Sequence, residues 1–163
     1  MRPLELMLRQ GIALPALGVV VFLAAPLRAA EPIVVELSQT PCQFVEIEGG
    51  DLGFESAQKA DCERINAETG ADRLAASKVL RLKPGDYIFR VTNKTVPYAL
   101  GFWLREDGYE NANVVKRLTM TSVSGGGLEL GTTKDYEVEL EPGEYIYSCP
   151  LNPTPNYRIV VEG

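Results

Sequence analysis

Histidine is absent from all 163 residues of the chain. That absence removes every Ser-His-Asp triad, every zinc site with a His ligand, and the two-histidine blue-copper site. Basic residues are in deficit: 16 Lys and Arg against 22 Asp and Glu give a net charge of −6. With no run of Lys or Arg, the composition argues against sequence-driven nucleic-acid binding. Soft metal donors are scarce, because the chain holds only 3 Cys and 3 Met. Beyond residue 30 no apolar run is long enough to span a bilayer. What remains, 45% hydrophobic and 23% charged, suits one soluble domain able to bury a core.

The first thirty residues read as an address. Arg2 and Arg9 supply positive charge, Gly11 to Leu27 is uncharged and mostly apolar, and small residues follow at Ala29 and Ala30. This is the layout of a cleaved signal peptide over 1–30, with cleavage after Ala29 or Ala30. The apolar stretch of about 17 residues is short for a membrane anchor. The expected mature chain is 31–163, without a membrane span, in the periplasm or secreted where there is no outer membrane. Losing Arg2, Arg9, Arg28 and Glu5 takes the net charge from −6 to −8.

Export implies an oxidising compartment. Three cysteines remain, Cys42, Cys62 and Cys149, so at least one thiol is unpaired within the chain. Cys42–Cys62 is the favoured bridge, because it would pin a polar, poorly patterned insert. Closing a loop of that length stabilises by roughly 3 kcal/mol in the chain-entropy model. Cys149 is then the odd one.

Short strands and turns dominate the patterning. Strands are expected at Ile33 to Leu37, Phe44 to Glu48, Tyr87 to Thr92, Tyr98 to Leu104, Val114 to Val123, Asp135 to Leu140, Tyr145 to Cys149 and Tyr157 to Val161. Residues 56–69 look helical, with Ser56 placed to cap and Gly70 to end the run, inside an insertion over 49–76. Lys83-Pro84-Gly85-Asp86 and Glu141-Pro142-Gly143-Glu144 form two Pro-Gly turns, and the segments around them echo each other. Ser124-Gly125-Gly126-Gly127 reads as a flexible turn, Trp103 as core, and Glu46, Glu48, Glu137, Glu139 and Glu141 as the solvated face of a sheet. Several short strands with little helix argue for an all-β sandwich or barrel.

Two segments together resemble the cupredoxin family. One is Asn93-Lys94-Thr95-Val96-Pro97-Tyr98-Ala99-Leu100-Gly101-Phe102; the other runs from Pro142-Gly143 through Tyr147-Ser148-Cys149-Pro150-Leu151-Asn152 to the strand Tyr157–Val161. The resemblance covers about residues 77–163 and implies a Greek-key β-sandwich, here with a short helical insertion. It also implies a site. Cys149 matches the thiolate ligand, Tyr98 stands where the first ligand histidine belongs, and Asn152 where many members carry the second. The ligand loop holds no Met.

For Cys149 three roles stay open: an inert core sulfur, a metal donor for copper or iron helped by Met120 or Tyr98, or a redox thiol. Tyr98 has the alternative of a packing aromatic with a bonded hydroxyl. The loop with Pro150, Asn152, Pro153 and Pro155 is either a rigid edge that meets a periplasmic or membrane partner, or a set of strand terminators. No residue supplies an acid–base group tuned near neutrality, so an enzyme is not expected. Two functions follow: a binding or accessory module without a resident cofactor, or a metal carrier or electron-transfer protein centred on Cys149.

Overall fold

The structure, a computed structural model, describes residues 31–163. The expected signal peptide lies outside them. Strand β1 (Ile33–Thr40) leads into a two-residue strand β2 (Gln43–Phe44) and a single helical turn α1 (Val45–Glu48). Helix α2 (Lys59–Ala76) follows, then β3 (Leu80–Leu82), β4 (Gly85–Asn93) and β5 (Leu100–Glu106). A short helix α3 (Val114–Thr119) precedes β6 (Ser122–Leu128), β7 (Thr133–Leu140), β8 (Gly143–Ser148) and β9 (Tyr157–Val161).

The strands make two sheets, ordered β2-β1-β4-β7 and β3-β9-β8-β5-β6. β1 runs parallel to β4, with Leu37 opposite Val91, and β3 parallel to β9. The other pairs are antiparallel. This is an all-β two-sheet sandwich with a helical insertion, the architecture that the sequence implied. No helix among the described residues is long and apolar enough to cross a membrane.

Period-2 alternation fills the space between the sheets. Tyr87, Phe89 and Val91 of β4 are buried while Ile88 and Arg90 are not, and Tyr145 and Tyr147 of β8 repeat the pattern. Phe102 forms the centre, within 6.1 Å of the rings of Phe44, Phe89, Tyr136 and Tyr147. The two Pro-Gly turns are the same device. The Tyr87 hydroxyl donates to the Lys83 carbonyl at 2.8 Å and accepts from the Lys83 N–H. Tyr145 does the same with Glu141, at 3.0 and 3.2 Å.

Four local expectations are corrected. Phe44 to Glu48 is not a strand: the chain turns helical at Val45, and Gly49 closes the turn in the left-handed region (φ 81°). Four alternating residues also fit one helical turn, with Ile47 inward. Helix α2 does not stop at Gly70 but runs on to Ala76, because Arg73 is tied to Glu48 and to the Cys42 carbonyl. Val114 to Thr119 is helical, its first turn capped by the Asn113 side chain accepting from the N–H groups of Val115 and Lys116. Gly125 to Gly127 lies within strand β6 rather than in a turn.

Candidate functional site

The connection from β8 to β9 and the start of β5 meet at one end of the sandwich, and α2 with its disulfide lies over them. Cys42 and Cys62 are bridged, as favoured from sequence, and Cys149 is the free, buried thiol. Cys42 itself holds a left-handed backbone (φ 66°), unusual for a non-glycine residue.

Asn152 ties these pieces together and is fully buried. Its Nδ2 donates to the Thr40 carbonyl at 3.0 Å, and its Oδ1 accepts from the Cys42 N–H at 2.9 Å. Cys62 Sγ, which carries no proton in the disulfide, touches the same oxygen at 3.1 Å. The backbone N–H of Asn152 donates to Cys149 Sγ at 3.2 Å. One side chain thus spans β1, the disulfide and the Cys149 turn.

Tyr98 is equally committed. Its hydroxyl lies 2.6 Å from Ser56 Oγ, in the segment leading into α2, and 3.5 Å from Asn152 Oδ1. Burial pushes the Tyr98 phenol above its ordinary value, the Ser56 hydrogen bond opposes this, and the nearby Cys149 adds to it. Burial also raises the Cys149 thiol, against hydrogen bonds from the Gly101, Asn152 and Leu151 backbone and from the Gln39 side chain. At neutral pH this sulfur is a protonated thiol, the weaker form for metal binding or nucleophilic attack.

The insertion is clamped from behind. Arg73 pairs with Glu48 through two bonds, at 2.6 and 2.8 Å, and both side chains are almost fully buried (8% and 3% exposed). The Tyr157 hydroxyl donates to the same Glu48 carboxylate. Arg73 also donates to the Cys42 carbonyl and to Asn66, which in turn donates to the Pro153 carbonyl. Glu48 is therefore an internal anchor, not part of a solvated sheet face.

The sequence-derived candidates separate. Cys149, Tyr98, Asn152 and the Cys42–Cys62 bridge come together. Met120 does not: it follows α3 beside the Arg105–Ser122 pair, whereas Cys149 follows the Ser148–Trp103 pair. Arg105 and Trp103 are two residues apart, about 7 Å at strand rise, and from them Met120 and Cys149 lie further on in opposite directions along β5. In the loop, Pro150 and Leu151 are exposed, but Asn152 and Pro155 are buried and offer no side chain to a partner. Pro153 is half-buried, with its carbonyl taken by Asn66.

A type 1 copper centre takes two imidazoles and a thiolate. The residues here are a phenol, an amide and a thiol, and the first two are already hydrogen-bonded within the protein. That donor set does not fit the group. Among the described residues no cluster of three or more His, Cys, Asp or Glu side chains forms a metal site.

Sequence reasoning missed Gln39, Ser56 and Arg73 as parts of this assembly. Gln39 is fully buried, its Nε2 donating to the Gly101 carbonyl at 2.9 Å while its Oε1 has no partner. A Gln pointing inward from the end of a strand breaks the apolar alternation, and that break was the available signal. Trp103 was expected in the core but is half-buried on the outer face of the five-stranded sheet.

No model of a known protein family matches the chain, and no curated protein matches it. Among solved structures, the chain is similar to auracyanin B, a cupredoxin, at 13% sequence identity and a TM-score of 0.47, over 84% of this chain and 94% of that one.

Proposed function

We propose that this chain is an exported, cupredoxin-like binding or accessory module, non-catalytic and without a type 1 copper centre. One observation carries the reading. Both side chains at the positions where the resemblance puts histidines are locked into the protein, Tyr98 onto Ser56 and Asn152 onto Thr40 and Cys42. A residue held this way stabilises the frame and is not available as a ligand. The exposed Pro150–Leu151 edge beside it is the contact surface, and a periplasmic or membrane protein is the partner. Pull-down from a periplasmic extract should return a partner with wild type and lose it with Pro150→Glu/Leu151→Glu. Recovery of the same proteins by both forms would overturn the contact surface.

A second reading, a soft-metal site centred on Cys149, is favoured by one feature: the partnerless Gln39 oxygen on a side chain that reaches this thiol. It requires Cys149→Ser to abolish binding of Cu(I). Equal binding by both forms would end it.

A further inference from the structure

The outer face of the β3-β9-β8-β5-β6 sheet carries a groove of about 460 Å³, one wall of which is the Pro150–Leu151 edge. We propose that this groove binds a neutral glycan, with Trp103 as the platform on which a sugar ring stacks. The proposal rests on the binding-module reading and adds a ligand class to its protein partner.

The platform is held rigidly. Trp103 Nε1 donates to Ser122 Oγ at 3.0 Å, which fixes the ring plane. The Arg105 guanidinium lies 3.9 Å from the ring centroid and backs one face. Arg105 is 7% exposed and its hydrogen bonds go to Ser148, Asn156 and the Trp103 carbonyl. Tyr109 meets the Trp103 ring edge-on at 6.2 Å. An aromatic surface fixed before binding loses little entropy when a ligand arrives.

The floor beside this platform is bare backbone. On one face of a strand the neighbours of Trp103 are Arg105 and Gly101. Arg105 covers one flank of the ring, and Gly101 with Gly126 leaves the other flank open. Gly101 has a steric reason to be glycine, since a Cβ there would lie 2.8 Å from the Gly125 carbonyl oxygen. Gly126 has none: its nearest atoms would be 3.8 Å away. The bare floor at Gly126 is therefore room, bounded by Leu151 and Pro150 on the far side.

The lining selects the class. It contains no Asp, Glu, Lys or Arg side chain, so a charged ligand gains nothing there. Ser124, Asn111 and Tyr109 offer hydroxyl and amide groups beside the aromatic ring, the combination that matches a molecule with apolar faces and hydroxyl edges. An added peptide strand is disfavoured, because Lys134 and Tyr136 already donate to the carbonyls of Gly126 and Gly125 on edge strand β6.

The chain's single Trp is the platform itself, so its fluorescence reports the site. Full-length mature protein is titrated with cellulose-, chitin- and starch-derived oligosaccharides, and with a proline-rich peptide. At least one sugar series should change the Trp103 emission saturably. Gly126→Val, which fills the floor and keeps the reporter, should weaken that binding by about tenfold or more. Asn111→Ala, on an exposed loop, should weaken it by a smaller factor. No saturable change with any sugar, an unaltered affinity in Gly126→Val, or a response to the peptide alone would each overturn the glycan assignment. A metal-free protein that still captures its partner would leave the module reading standing if the sugars fail.

Discussion

The Tyr98 hydroxyl lies 2.6 Å from Ser56 Oγ, so the approach to β5 is joined to the very segment that covers it. The covering segment is in turn fixed by the Cys42–Cys62 bridge and by Arg73. The predictions below test this closure from different sides.

Removing the bridge should loosen the cover. Cys42→Ala/Cys62→Ala is expected to lower unfolding stability by about 3 kcal/mol. The Cys149 thiol, buried in the native chain, should then react faster with a thiol reagent under native conditions. Urea unfolding and timed labelling read the two effects. Unchanged labelling would mean that the disulfide does not guard the sulfur.

Arg73 and Glu48 form a buried pair, and breaking such a pair costs about 3–5 kcal/mol because the survivor stays buried and uncompensated. Arg73→Met should destabilise by about that much. Glu48→Gln keeps an acceptor for the Tyr157 hydroxyl and should cost less. Chemical denaturation of both variants checks the order.

Alkaline pH should destabilise the fold. Burial raises Cys149 above its ordinary 9.0, and raises Tyr98, Tyr136, Tyr145, Tyr147 and Tyr157 above 10.0. Once pH passes those ordinary values, the unfolded chain loses protons that the folded chain keeps. The stabilisation is complete below about pH 9 and declines above it. A urea midpoint that holds near neutrality and then falls is expected, with Cys149→Ala delaying the onset. A midpoint flat through the alkaline range would contradict the burial of these groups.

The paired Pro-Gly turns, each crossing from one sheet to the other, make a cleaner test of sequence reading. Tyr87→Phe and Tyr145→Phe each remove a hydroxyl that both donates to and accepts from the residue four before it. Each should cost about 1 kcal/mol, and the two costs should add. Thermal or urea unfolding of the single and double variants measures this.

These turns were legible because Pro-Gly pairs and alternating aromatics are local signals, but a hairpin reading of them fails, since β3 and β4, like β7 and β8, lie in different sheets. The Cys42–Cys62 pairing was legible because only one insertion needed a staple. Local signals failed where tertiary contacts decided. Gly70 is a fair helix stop by propensity, but the Arg73 anchor to Glu48 and Cys42 carries α2 past it. Val114 and Val115 look like strand residues, but Asn113 caps them into a helix. At the site, the frame around Cys149, Tyr98 and Asn152 could be read from the motifs. What holds those residues could not, since Ser56 and Asn66 come from a polar segment whose helical pattern does not say where it docks.

Metal content tests the closure most directly. Mature protein exported to the periplasm, purified without a metal-binding tag, is analysed for copper and iron, then again after incubation with Cu(I) and Fe(III) and desalting. The account predicts that neither metal is retained above trace in either sample. One equivalent of copper or iron, lost in Cys149→Ser, would contradict it.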